Sequence, residues 1–411
     1  MNEKVIRLAE QAEKRCQNRF REIDRVAEKN TERVLEAFRS ARVSDACFAG
    51  TTGYGYDDLG RETIDRIYAE LMGTESALVR IGFVNGTHAL TAALFALAKP
   101  GEHLLSVNGL PYDTLQEAIG IRGNAFGSLA FYGIGFDQIE LTSSGSLDLS
   151  SLADACAKRG TAAVLFQRSR GYAERPALSL EEIQEAVRVI KKTNPDISVM
   201  VDNCYGEFTD IREPGHIGAD ILAGSLIKNP GGGLAPAGGY IAGREDLVQR
   251  AANRLTTPGI GGECGATLGS NRLLFQGLFL APHTVAQALK TAVFSAALME
   301  LLGIRSFPGV DDPRSDIIQT VCLGSEENMR RFCRGIQKGA PVDSFVTPEP
   351  WTMPGYDDPV IMAAGTFIQG SSIELSADGP IRPPYNVYLQ GGLTYESGKL
   401  GAMLAAEELL L

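Results

Sequence analysis

The chain has 411 residues and a formal net charge of -11, so it lacks the basic field that nucleic acids or anionic membrane surfaces demand. Hydrophobic residues make up 44% and charged residues 22%, the proportions of a folded globular protein and not of a disordered or fibrous one. The length exceeds one ordinary core and leaves room for two or three domains.

The opening stretch, MNEKVIRLAEQAEKRCQNRF, is charged from its second residue and has no apolar signal-peptide core. No run of about 18 apolar residues follows, and a cytoplasmic, membrane-free protein is expected. Residues 1–40 line up Val5, Leu8, Ala12, Cys16, Phe20, Ile23 and Val26 as an apolar stripe on a charged helix. Such a stripe needs a surface. The loop-like SDACFAGTTGYGYDDLG that comes next suggests an arm packed on another domain or subunit.

From about residue 75 to 255, short apolar runs alternate with helical patterns: ALVRIGF, THALTAALFALA, HLLSV, TLQEAIG, AAVLFQ, SLEEIQEAVRVIKK, ISVMVD, ADILAGS and GGYIAG. This alternation predicts an α/β fold, a mostly parallel sheet with helices on both faces. Ligands of such sheets bind beyond the carboxyl ends of the strands. The helical stretch HTVAQALKTAVFSAALMELLG then leads into a smaller α+β region, with strands at DIIQTVCLG, PVIMAAGTFIQ and SSIEL, and helices at EENMRRFCRGIQ and the C-terminus. The expected domains are a helical arm and loop over 1–60, a large domain over 61–290 and a small C-terminal domain over 291–411. Seven cysteines, Cys16, Cys47, Cys156, Cys204, Cys264, Cys322 and Cys333, show no C-x-x-C spacing and read as buried thiols. Four histidines form no H-x-x-x-H pair, so no metal site is expected.

The stretch GSLIKNPGGG sets Lys228 directly after a near-continuous apolar run. Burying an ammonium without a partner is costly, but desolvation lowers the amine's pKa and equips it as a nucleophile or Schiff-base former. A Schiff-base lysine points to pyridoxal phosphate, whose other needs can be sought separately. Asp202 ends the apolar run SVMVD and offers a carboxylate for the pyridine nitrogen, although a strand-ending Asp often only caps a turn. Gly86 and Thr87 in VNGTHAL open a helix after a strand, where free N–H groups and the helix dipole favour a phosphate. Ser225 adds a hydroxyl, and Tyr112 in GLPYDTL offers a ring to stack. For a substrate carboxylate, Arg382 stands in a proline-stiffened loop, and Arg168 and Arg170 lie just past a strand.

The order of phosphate turn, aromatic, Asp, Ser-x-x-Lys and late Arg resembles the fold-type I pyridoxal-phosphate enzymes. The blocks DNCYGEF, GSLIKNPGGG, GGYIAGR, QGLFLAPH, MPGY and SADGPIRPPY resemble the methionine gamma-lyase-like, aluminium-resistance branch, which is related to cystathionine beta-lyase. The resemblance implies that Lys228 carries the cofactor, Asp202 pairs with its ring nitrogen and Tyr112 covers its ring. It assigns the phosphate to Gly86, Thr87 and Ser225. In the related transsulfuration enzymes a neighbouring subunit's loop completes the phosphate site with a Tyr and an Arg, for which GYGYDDLGRE offers Tyr54 or Tyr56 and Arg61. A homodimer is then the smallest active unit, with a homotetramer expected. Two departures stand out: Ile227 replaces a second hydroxyl residue before the lysine, and Thr114 stands where methionine gamma-lyases carry a cysteine.

The implied activity is a carbon–sulfur lyase that acts on cystathionine, cysteine or methionine by β- or γ-elimination, with Lys228 and Tyr112 moving protons. Aminotransferases, aldolases and γ-replacement enzymes share its first steps. A binding protein that keeps the cofactor without catalysis is a third reading. A nucleotide-binding loop fails on order, because Lys228 precedes the glycines of NPGGGLAPAGG and no Ser or Thr follows it.

Overall fold

The computed structural model describes residues 1–411 apart from Asn124 and Pro354, so the MPGY block includes a residue outside the described set. The chain forms two compact units, one of Glu32–Leu226 and Ala235–Gln276, the other of Met1–Thr31, Ile227–Leu234 and Gly277–Leu411. These limits differ from the expected ones after residues 60 and 290. Two of the four changeovers fall inside continuous helices, α1 (Glu3–Ser40) and a later one over Asn271–Leu301, where no linker composition marks them, and the other two bracket the short segment Ile227–Leu234.

In the larger unit the elements follow as α2 (Leu59–Met72), β1 (Ser76–Arg80), α3 (Gly86–Leu97), β2 (His103–Ser106), α4 (Asp113–Ile119) and β3 (Gly135–Gln138). Then come α5 (Leu149–Cys156), β4 (Thr161–Gln167), α6 (Leu180–Thr193), β5 (Ser198–Asp202), β6 (Ile221–Ser225), β7 (Gly239–Gly243) and α7 (Glu245–Leu255). The strands form one sheet in the order β1-β7-β6-β5-β4-β2-β3. Strands β2 to β6 run parallel, and β7 is antiparallel to both β6 and β1. The mostly parallel sheet expected from the alternation is therefore what forms.

Side chains alternate along each strand. Leu78, Ala163, Leu165, Met200, Ile221, Ala223 and Ile241 join one buried cluster with Ala89 and Ala93 of α3 and Leu247 and Ala251 of α7. Their neighbours Val164, Phe166, Val199, Val201, Leu222 and Tyr240 are buried on the other face. A sheet covered on both faces needs strands that read as continuous apolar runs. Each fully buried Val, Leu or Phe contributes about 1.5–3 kcal/mol of transfer free energy.

Asp58 caps the start of α2 and ties that helix to the chain some 200 residues later. Its carboxylate accepts from the Arg61 N–H at 2.9 Å, the Thr51 hydroxyl at 2.5 Å, the Thr267 hydroxyl at 2.6 Å and the Asn271 amide at 3.1 Å.

The smaller unit contains α8 (Asn271–Leu301, from Gly277 on), β8 (Ser306–Phe307), β9 (Gln319–Cys322), α9 (Glu326–Lys338), β10 (Val360–Ala363), β11 (Leu375–Pro380), β12 (Asn386–Gly391) and α10 (Tyr395–Leu409). Its sheet, β10-β11-β12-β9-β8, is antiparallel throughout. The apolar stripe of α1 lies on this unit of its own chain. Phe20 meets Tyr395 edge-on with ring centroids 5.0 Å apart, while Glu13 pairs with Lys399 at 2.6 Å and Arg15 with Glu300 at 2.7 Å. Of the expected strand SSIEL only Leu375 belongs to one, and β12 had no counterpart in the sequence reading. Both β11 and β12 carry buried polar side chains, among them Asp378 and Gln390, which bond across the pair at 3.2 Å. Cross-strand pairing of this kind replaces the apolar alternation that marks an ordinary strand.

Five cysteines are buried, Cys264 and Cys322 are half-buried, and all seven are free. Burial pushes the Cys16 thiol up to about 12 and the Cys156 thiol up to about 11. Among the described residues no helix is long and apolar enough to cross a membrane.

Burial by itself would raise the Asp58 pKa, but the bonds from Thr267, Thr51, Arg61 and Asn271 outweigh it and hold the carboxyl below the usual range. A depressed carboxylate pKa stabilises the fold fully above the unfolded value of about 3.9 and is lost as pH falls through the folded value. Asp58→Ala is accordingly expected to cost about 2 kcal/mol at pH 7. The gap between variant and wild-type urea midpoints should narrow steadily below pH 4; a gap independent of pH counts against this account.

Candidate functional site

Because β4, β5 and β6 are parallel, their carboxyl ends lie along one edge of the sheet, with Gln167 beside Asp202 and Asp202 beside Ala223 in the ladder. Alternation then fixes which side chains meet. Gln167 shares a face with Leu165, Asp202 with Met200, and Ser225 with Ala223, all on the side covered by α3 and α7. Asp202 and Ser225 are buried, and an Asp202 oxygen accepts the Cys204 N–H at 3.1 Å.

Helix α3 opens against this edge. The Asn85 side chain caps it by accepting the His88 N–H at 2.9 Å, and the Asn85 carbonyl takes the Ala89 N–H at 3.3 Å. The N–H groups of Gly86 and Thr87 are thus the ones at the helix mouth, where the dipole favours an anion. A Cβ on Gly86 would stand 3.1 Å from the Ser225 Cβ and 3.7 Å from the Cys204 sulfur. Only glycine keeps that approach relaxed, so the backbone reaches Ser225 and leaves a cradle of N–H and hydroxyl donors. The Thr87 hydroxyl meets that of Thr114 at 2.9 Å, which ties the start of α4 to the turn that opens α3.

Tyr112 precedes α4, and its N–H donates to the Gln167 side-chain oxygen at 2.7 Å. Its ring lies against Gly171 and is tilted on Tyr172 at a centroid distance of 5.8 Å. An anion cradle, a buried carboxylate and an aromatic ring on one sheet edge form a donor set that fits pyridoxal phosphate. Gln167 and Tyr172 were passed over in the sequence. Counting alternate residues back from Gln167 to the apolar Leu165 and Ala163 would have found the first.

Lys228 follows Ser225 by three residues and is half-buried, and its carbonyl accepts the Gly231 N–H at 3.2 Å in a short turn. Arg382, in the smaller unit, is exposed and pairs with Asp358 at 2.9 Å. Tyr56 stands on an exposed loop stacked on Tyr54, and its hydrogen bond to Cys264 raises the phenol pKa. Arg61, expected to reach a partner's phosphate, is only 2% exposed. Its guanidinium donates to the carbonyls of Gly55, Gly265 and Glu263, so it clamps two loops of its own chain.

Arg168, expected at the substrate, likewise has partners within its own chain. One residue past Gln167, it projects to the opposite face, where it is 1% exposed. There it donates to Asn203 at 2.9 Å and Thr209 at 3.2 Å and faces Glu213 at 3.6 Å. Asn203 in turn donates to Glu213 at 3.0 Å and to the Tyr240 hydroxyl at 3.3 Å, and that hydroxyl donates to Glu207 at 2.8 Å. Burial pushes the Glu213 carboxyl up against the pull of Arg168. Arg168→Ala would take from Glu213 its closest guanidinium, leaving Arg33 alone to offset the buried charge, and is expected to lower stability by about 3–5 kcal/mol. A wild-type urea midpoint combined with a raised KM would return Arg168 to the substrate.

The family model described as methionine gamma-lyase matches residues 5–410. The chain is 50% identical over 392 residues to the uncharacterized protein YnbB of Bacillus subtilis (strain 168), covering 95% of this chain and 93% of that one. It is 49% identical to a carbon-sulfur lyase involved in aluminum resistance from Clostridium novyi NT, whose structure superposes with a TM-score of 0.96 over 100% of this chain and 97% of that one. The pyridoxal-5'-phosphate dependent protein YhfS of Escherichia coli shares the fold at a TM-score of 0.63 and 18% identity, over 94% and 97% of the two chains. With its Asn-Gly-Thr turn, buried Asp202 and Ser-x-x-Lys on a fold-type I framework, the chain belongs to the methionine gamma-lyase family.

Proposed function

We propose that the chain is a pyridoxal-phosphate-dependent carbon–sulfur lyase acting on a sulfur-containing amino acid, cystathionine, cysteine or methionine, by β- or γ-elimination. The observation that carries this reading is the closure of the α3 N-terminus on Ser225, with Asp202 on the same face one strand away. Pyridoxal phosphate, when bound, supplies an electrophilic aldehyde and an electron-withdrawing ring that eases loss of the substrate's α-proton.

The chain's own residues would do the rest. The N–H groups of Gly86 and Thr87 and the Ser225 hydroxyl donate to the phosphate. The Asp202 carboxylate, shielded from water, accepts the ring N–H and keeps that nitrogen protonated. Tyr112 would cover the ring, and Lys228 is the residue that would hold the cofactor and, through its Nζ, accept the substrate's α-proton, with the Tyr112 hydroxyl available for a second proton transfer. Arg382 is the residue this reading offers to the substrate's α-carboxylate in exchange for Asp358.

Homodimerisation, with Tyr56 offered to the partner's phosphate, and pairing into a tetramer belong to the same proposal. Exposed Tyr54, Tyr56, Val84 and Leu268 on the larger unit support it. Seven free cysteines support a reducing, cytoplasmic location.

Lys228→Ala is expected to abolish release of keto acid, ammonia and thiol with the circular dichroism of the fold intact. Borohydride treatment of the wild type should leave a pyridoxyl mass on the Lys228 peptide. Substantial lyase activity in Lys228→Ala, or reduction that marks another lysine, would sink the assignment. Conversion of the cofactor to its amine form without ammonia would mark transamination. Arg382→Ala should raise KM by about 10- to 100-fold at little cost to cofactor binding; an unchanged KM rules out its carboxylate role.

A further inference from the structure

Gln167 has no part in the chemistry above, yet its side chain is 8% exposed and held at both ends. Its Oε1 accepts the Tyr112 N–H at 2.7 Å, and its Nε2 donates to the Ser169 carbonyl at 3.1 Å. Its backbone is locked as well. The Asn108 amide donates to the Gln167 carbonyl at 2.7 Å, and the Gln167 N–H donates back to Asn108 at 3.2 Å. Arg175 returns across the loop to donate to the same Gln167 carbonyl at 3.1 Å and to that of Ser169. The segment between them presses on the tyrosine. Gly171 turns with φ of +55°, and a Cβ there would lie 3.0 Å from the Tyr112 ring, which Tyr172 flanks on its own account.

We propose that Gln167 is a positioning residue that sets the backbone, and through it the ring plane, of Tyr112. The inference rests on the reading that Tyr112 covers a bound pyridoxal ring. An amide meets the demand. It accepts from Tyr112 and donates to Ser169 at once, whereas a carboxylate would set two acceptors face to face and an aliphatic side chain would take this acceptor from the Tyr112 N–H and leave the Ser169 carbonyl to Arg175. The strap of residues 167–175 thereby links the end of β4 to the start of α4. Thr114 joins the same helix to Thr87 of the phosphate turn. One amide thus helps hold ring and phosphate positions in a fixed relation.

The test is a double-mutant cycle in the full-length chain. Pyridoxal phosphate is titrated into cofactor-free wild type, Gln167→Met, Tyr112→Ala and the double variant, with visible absorption giving Kd and visible circular dichroism reporting the ring's orientation. Gln167→Met preserves side-chain length and packing; Gln167→Glu, which keeps the acceptor, serves if that variant does not fold. Gln167→Met is expected to weaken binding by about tenfold and to change the visible dichroism when Tyr112 is present, with both effects largely absent in the Tyr112→Ala background. Equal losses in the two backgrounds, or none, overturn the inference. A wild-type chain that binds no pyridoxal phosphate overturns the lyase reading itself and this inference with it.

Discussion

Two buried faces of one sheet govern this molecule. In β4, β5 and β6 every second side chain enters one face and its neighbours enter the other, and neither face is open to water. The last residue or two of each strand must therefore commit to a side. Gln167, Asp202 and Ser225 fall on the side of α3, where Gly86 and Tyr112 complete a set of groups suited to a phosphate-bearing aromatic cation. Arg168 and Asn203 fall on the other, and there they join Glu207, Glu213 and Tyr240.

The two polar clusters face different requirements. The first has donors and acceptors suited to a ligand, and its geometry comes from neighbours that hold side chains and backbone in place. The second closes on itself. Its carboxylates, guanidinium and phenol are desolvated together, so each is tolerable only while the others remain. Glu213 shows the strain of that arrangement, since burial pushes its carboxyl up even with Arg168 close by. Removing one member there disturbs the fold, whereas removing a member of the first cluster disturbs what the fold can hold.

Much of this was legible in the sequence. The apolar runs located most strands of the larger unit, and the run before Lys228 was read as the buried strand that forms there as β6. The Asn-Gly-Thr opening of α3 was equally plain, because a capping side chain and a glycine that must approach closely are both local facts. What could not be read depended on distant partners. Arg61 looks like an accessible loop arginine until Glu263 and Gly265, some 200 residues away, take its donors. Arg168 looks like a free cation past a strand until the phase of that strand is counted. Strands β11 and β12 hide because Asp378 and Gln390 satisfy each other only once the two are side by side. Two of the unit limits hide inside α1 and α8, whose compositions do not change where the packing does.

Strand β1 feeds α3, yet it touches the rest of its sheet only through β7, with Ser76 opposite Gly243. More than 160 residues separate those partners. Pairing of such high contact order forms slowly and late, since the loop entropy is lost before the contacts repay it. On a ribosome β1 can join its sheet only after the β7 segment has emerged, although α3, which also packs directly on β6, has a surface to dock on sooner. Closure of this edge is thereby left to the last strand made: a chain ending before residue 239 has no β7, and β1 then has no strand of the sheet to pair with.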